Sequence, residues 1–162
     1  MAEYYHDNIR FENPIFGVLR NRDPIYMWEM LIENSKDELQ IDFSNIKTIE
    51  NQVHIKWIAT YHFSATNRKI KNSVRAQFEF KNGLIYRHTD DFNFWNWNQQ
   101  AFGLKGILLG WSVFMQNKIK EEAKKSLRKF KTKKRFLRTQ KELINPEMLT
   151  TSSNIIGSSG LE

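Results

Sequence analysis

The sequence predicts an α+β fold: an antiparallel sheet with one apolar face under a helix, then a long C-terminal amphipathic helix. Three observations carry that expectation. Apolar and polar residues alternate through 53–64, 69–81 and 84–92, at the period of two that half-buried strands require. Asp23-Pro24 opens a run with apolar residues at helical spacing. From Leu108 onward, apolar residues recur mainly at three- and four-residue steps.

Taken in order, residues 4–14 pass from a helix end into a short strand that Pro14 stops, and 15–19 add a short apolar segment. Asp23 reads as an N-cap with Pro24 at the first helical position. The helix carries Ile25, Trp28, Leu31 and Ile32 and ends near Asn34-Ser35. Leu39, Ile41 and Phe43 alternate in a strand. In 53–64, Val53, Ile55, Trp57, Ala59, Tyr61 and Phe63 share one face, opposite His54, Lys56, Ile58, Thr60 and His62. Val74, Ala76, Phe78 and Phe80 turn inward from 69–81. Lys81-Asn82-Gly83 is a hairpin signal, and a strand is expected from there to Trp95. These four strands make an antiparallel meander.

Beyond Trp97, glycines mark turns or close packing. Leu108, Trp111, Met115, Ile119, Ala123, Leu127, Phe130 and Leu137 then outline a helix that Asn145-Pro146 ends. The expected division is a domain over 1–106, a basic amphipathic helix over 107–146 and a flexible tail over 147–162. Leu161-Glu162 reads as a cloning scar.

Composition excludes several functions. There is no cysteine, hence no disulfide, thiol nucleophile or cysteine-held metal. His6, His54, His62 and His88 lack zinc-ligand spacing, so no metal and no cofactor are expected. No apolar run approaches the roughly 20 residues of a membrane span, and the N-terminus has no signal pattern, so the expected location is cytoplasmic. The net charge of +7 is concentrated: residues 118–141 hold 12 Lys or Arg against 2 Glu, leaving 13 basic and 16 acidic residues elsewhere. A slightly acidic body therefore carries a strongly basic helix. A solvated helix face is the plainest reading of that charge, and weak contact with an anionic membrane surface stays open. Phe130 and Phe136 fit the apolar stripe better than a base-stacking platform, so no specific nucleic-acid binding is expected.

The candidate site lies on the strand after Gly83. Alternation puts Leu84, Tyr86, His88, Asp90 and Phe92 on its inner face. An imidazole and a carboxylate two residues apart thus share an apolar wall, where burying either costs free energy unless it is hydrogen-bonded. Asp90 and His88 are the candidate catalytic pair. Trp57, Tyr61, Tyr86, Phe78 and Tyr5 are candidate ligand contacts, although aromatic residues on an inner face are more often core.

Several segments resemble the nuclear transport factor 2-like superfamily, which includes SnoaL-like polyketide cyclases, ketosteroid isomerases and limonene epoxide hydrolases. Residues 5–14 (YHDNIRFENP) are similar to its early tyrosine, aspartate, phenylalanine and proline pattern. Residues 22–32 occupy the place of its following helix, and 53–64 and 69–81 match its long strands. Residues 83–90 (GLIYRHTD) resemble the SnoaL-like run of glycine, lysine, isoleucine, histidine and aspartate, with Leu84 in place of the lysine. The resemblance covers about residues 1–95. It implies a cone, a curved antiparallel sheet wrapped around helices with an apolar cavity open at one end. His88 and Asp90 would point into that cavity, Asp90 in the general acid/base position of the cyclases. Members of the superfamily usually have a longer first helix than residues 1–5 supply here, so either that helix is truncated or another element covers the cavity, with the basic C-terminal helix as the candidate cover. They also pair through the outer sheet face, so a homodimer is expected.

Two function classes stay open. One is a cofactor-independent isomerase, cyclase or hydratase-like lyase acting on an apolar carbonyl-bearing small molecule. In it Asp90 is the base, His88 orients it and a tyrosine donates to the developing oxyanion. The other is a noncatalytic ligand-binding or scaffolding module, since a fold does not dictate chemistry.

Overall fold

The period-two stretches form the sheet in the computed structural model, which describes residues 2–35, 38–104 and 112–144. Strand β1 (Tyr5–Asn13) and strand β2 (Gly17–Arg20) make a hairpin that pairs Phe11 with Leu19. Asn13 shapes its turn: the side-chain oxygen accepts from the backbone N–H groups of Ile15 (3.1 Å) and Phe16 (2.7 Å).

Helix α1 (Asp23–Asn34) buries Pro24, Met27 and Met30. Its start differs from the expectation. Arg22, not Asp23, holds the N-cap position, with φ −84° and ψ −6° and no side-chain cap bond. Asn21, at φ 55°, has already turned the chain, so helical dihedrals begin one residue earlier. Asp23 sits in the first turn, where a carboxylate complements the helix dipole.

Strands β3 (Gln40–Ile49), β4 (Gln52–Phe63), β5 (Arg68–Lys81) and β6 (Leu84–Phe92) form the antiparallel meander. Asn82 and Gly83, at φ 54° and 77°, supply the two left-handed residues of the β5–β6 turn. Strand β6 also pairs in parallel with β1, giving one sheet in the order β2-β1-β6-β5-β4-β3. Strand β6 therefore has a neighbour on each side, and its His88 and Asp90 side chains are buried. Strand β3 has the opposite fate. Its alternation predicted a half-buried strand, yet all ten residues are exposed and Phe43 is 67% accessible, because β3 is the sheet's outer edge.

The strand expected to reach Trp95 stops at Phe92. Asn93 then caps helix α2 (Phe94–Phe102), its side-chain oxygen accepting from Asn96 N–H at 2.9 Å. The cap outweighs the strand preference of Phe94 and Trp95. Trp97 and Ala101 of α2 bury themselves against Ile70 of β5, with Ile119 packed alongside. Helix α3 (Val113–Ile144) covers most of the expected C-terminal helix. Leu108, Trp111, Asn145-Pro146 and the 147–162 tail lie outside the described residues.

Residues 1–127 form one unit with the sheet and residues from Arg128 onward a second. In the second, Phe136 and Leu137 are exposed, and the Lys134 ammonium lies 5.1 Å from the Phe130 ring centre. Among the described residues, no helix is long and apolar enough to cross a membrane.

Candidate functional site

Strand pairing fixes where the titratable pair sits. His88 is in register with Phe78 of β5 and Phe11 of β1, and Asp90 with Ala76. Aromatic rings enclose the imidazole: Phe78 at 4.3 Å, Phe11 edge-on at 4.9 Å and Trp28 stacked at 6.2 Å between centroids. His88 is 2% exposed and Asp90 4%. Polar groups this deep must find partners within the protein.

They find them in a chain. Trp28 Nε1 donates to Tyr5 Oη at 3.0 Å. Tyr5 Oη lies 2.7 Å from His88 Nδ1, and His88 Nε2 lies 2.9 Å from Asp90 Oδ1. The donor inventory sets the direction. An indole N–H only donates, so the phenol oxygen is an acceptor there, and His88 Nδ1 is the acceptor within reach of its own proton. That nitrogen is then unprotonated. The imidazole proton sits on Nε2 and donates to the carboxylate. In that arrangement the chain ends on the Asp90 carboxyl group, held by a His88 imidazole of defined tautomer. Burial pushes the Tyr5 hydroxyl well above the ordinary tyrosine range and the Asp90 charge adds to that, while the Trp28 bond works the other way. The proton that fixes the tautomer is firmly held.

Asp90 lies on the wall of a partly open cavity of about 660 Å³. The sheet lines it with Trp57, Ala59, Tyr61, Val74 and Phe92, and α1 with Trp28, Met30 and Leu31. Trp97, Asn98 and Phe102 of α2 close one side, and Met115, Ile119 and Ala123 of α3 another. Such a volume and apolar lining suit a small-molecule site. Among the described residues, Asp90 Oδ2 has no hydrogen-bond partner. Nor do any three His, Asp or Glu there form a group that could hold a metal ion.

The expected site residues divide three ways. Asp90, Trp57 and Tyr61 line the cavity. His88, Tyr5 and Phe78 stand behind the lining, with Tyr5 and His88 in the hydrogen-bonded chain. Tyr86 is a correction. Glu79 pairs with Arg87 and Phe80 with Ile85, so Tyr86 is the extra residue of a β-bulge and leaves the inner face. It is 36% exposed, packs edge-on with His6, and has Lys81 above its ring.

Two residues were not anticipated. Trp28 was placed in α1 only as apolar surface, and only the tertiary fold brings its N–H to Tyr5. Asn98 is fully buried, and neither its Nδ2 nor its Oδ1 has a hydrogen-bond partner. It escaped notice because its helix did; the Asn93 cap was the available signal. Tyr61, whose hydroxyl accepts from Trp97 Nε1 at 2.8 Å, is also pushed above the ordinary tyrosine range by burial, against the effect of that bond.

The sequence profile of the SnoaL-like domain family matches residues 1–88. A search of curated proteins finds no match. Among solved structures, the chain is similar to a protein named as a SnoaL-like polyketide cyclase from Jannaschia sp. CCS1, with TM-score 0.55 and 10% identity over 62% of this chain and 75% of that one. It is similar to a protein of ketosteroid isomerase-like fold from Catenulispora acidiphila DSM 44928 in complex with trimethylamine, with TM-score 0.53 and 11% identity over 68% and 83% of the two chains. TerC, co-crystallised with polyporic acid, aligns with TM-score 0.53 and 9% identity over 62% and 82%. At these identities the likeness establishes the fold.

Proposed function

Because the chain belongs to the SnoaL-like domain family and seats a buried carboxylate on an apolar cavity wall, we propose that it is a cofactor-independent acid–base enzyme, an isomerase or cyclase of apolar carbonyl compounds. The observation that carries this reading is the directional chain ending on Asp90, with Oδ2 left unbonded beside the cavity. Asp90 Oδ2 takes a proton from the carbon next to the ligand carbonyl, and the C–H electron pair moves to the oxygen as an enolate. Returning the proton to another carbon gives an isomer. Attack of the enolate carbon on a second carbonyl closes a ring, and the new alkoxide takes the proton back.

His88 and Tyr5 act as positioning residues, since they hold Asp90 and do not line the cavity. The Tyr5 proton is committed to His88, so Tyr5 cannot serve the oxyanion. Trp57 is the better donor. Its row in the sheet, with Val74 and Phe92, is one inward step (about 7 Å) from the row of Ala76 and Asp90. Its indole N–H has no acceptor among the described residues.

The test is exchange of α-hydrogens of 2-tetralone and related apolar ketones into deuterated water, followed by NMR. The protein should accelerate exchange, and Asp90→Asn should remove about 10²- to 10⁴-fold of that rate. A variant as fast as the parent would refute the assignment. The mutual satisfaction of His88 and Asp90 supports a second reading, a noncatalytic ligand-binding module, and no acceleration by the parent protein would favour it.

A further inference from the structure

Asn98 poses a problem of its own. Its side chain is fully buried in α2 and its amide has two unpaired atoms of opposite sense, a donor Nδ2 and an acceptor Oδ1. Among the described residues these are the buried side-chain polar atoms without a partner. Leaving such a group unsatisfied costs more than any typical hydrogen bond gains. Yet Asn98, buried as it is, borders open space. It lines the cavity, on the wall next to Trp97.

The cavity lining has one more unused donor. The Tyr61 hydroxyl oxygen accepts from Trp97 Nε1, and the phenol proton itself has no acceptor among the described residues. Burial keeps that proton in place. This polar end is remote from Asp90. Tyr61 pairs with Ile70, Asp90 pairs with Ala76, and the two rows are six steps apart along β5. That is at most roughly 20 Å along the strand, less as the sheet curves.

We propose that Asn98 turns its amide to the cavity and, with Tyr61, holds a hydroxyl group of the ligand at the end opposite Asp90. A hydroxyl answers both unpaired atoms, because it accepts from Nδ2 and donates to Oδ1. A ketone, ether or carboxylate only accepts and would leave Oδ1 unpaired. Resting on the proposed chemistry at Asp90, this makes the substrate a long apolar ketone with a hydroxyl at its far end.

Tryptophan fluorescence reads binding, since Trp28, Trp57 and Trp97 line the cavity. The probes are 12-hydroxydodecan-2-one and dodecan-2-one, which differ only in the distant hydroxyl. The parent protein should bind the hydroxyketone roughly tenfold more tightly. Asn98→Leu, of similar volume, should bring the ratio to about one with little change for dodecan-2-one. It should also melt at a higher temperature, as an unpaired buried amide has gone. A ratio near one in the parent, a ratio retained in Asn98→Leu, or a lower melting temperature for that variant overturns the proposal. No binding of either ketone up to its solubility overturns it as well. Asp90→Asn, run alongside, should keep the tenfold ratio. If Asp90→Asn instead leaves 2-tetralone exchange untouched, the Asp90 chemistry fails while the Asn98 subsite stands.

Discussion

Replacing Tyr5 with phenylalanine removes one oxygen and breaks two hydrogen bonds together, a part-buried one to Trp28 Nε1 and a buried one to His88 Nδ1. The ring still fills its site, so the loss is polar and not a cavity. Each bond contributes about 0.5–1.5 kcal/mol net, and stranding a buried donor or acceptor costs about 1–3 kcal/mol. The variant should therefore lose about 2–4 kcal/mol in urea unfolding at neutral pH. Its pH dependence should change as well. Tyr5 is held protonated in the folded protein well above the ordinary range, while an unfolded tyrosine releases its proton near 10. Between those limits the folded state binds more protons, so stability is full below about pH 10 and falls as pH rises further. Tyr61 contributes in the same direction. Tyr5→Phe should remove the Tyr5 share and flatten the alkaline slope, leaving the Tyr61 share. A variant within about 0.5 kcal/mol of the parent, with an unchanged alkaline slope, would show that the chain from Trp28 to Asp90 does not hold the site together.

Other expectations are simpler. Asp90→Asn keeps an oxygen to accept from His88, so it should abolish ketone exchange with a melting temperature unchanged or raised; a collapse in stability would make Asp90 structural. Tyr86→Ala should change neither ligand binding nor stability by more than about 0.5 kcal/mol, and weaker binding would restore Tyr86 to the cavity. The exposed edge strand β3, with Phe43, Ile46 and Ile49 open to solvent, supports pairing of two copies through the sheet. Sedimentation at micromolar concentration should give twice the chain mass, and a single chain mass would remove the dimer.

The legible parts of the fold follow from where each residue stands. Period-two patterning exposed β4, β5 and β6, and put His88 and Asp90 on the inner face, because a central strand turns one side toward the interior. The same rule failed for Tyr86, since one bulged residue reverses the alternation and nothing local announces it. It failed for β3 in another way: Ile41 and Phe43 alternate as core residues do, but their burial depends on what covers the edge. Helix α2 stayed hidden behind Phe94, Trp95 and Trp97, aromatic residues that read equally well as strand. Asn98 went with it. Trp28 was visible as a helical apolar residue, whereas its bond to Tyr5 spans 23 positions and exists only once the sheet has formed.

The central claim is that His88, its tautomer fixed by the Tyr5 proton, presents the Asp90 carboxyl group to the cavity. Nitrogen NMR of the His88 imidazole in the native protein at pH 7 tests it most directly. The account predicts one protonated nitrogen, Nε2, and a bare Nδ1, with Tyr5→Phe releasing that preference. A proton on Nδ1, alone or together with one on Nε2, would contradict it.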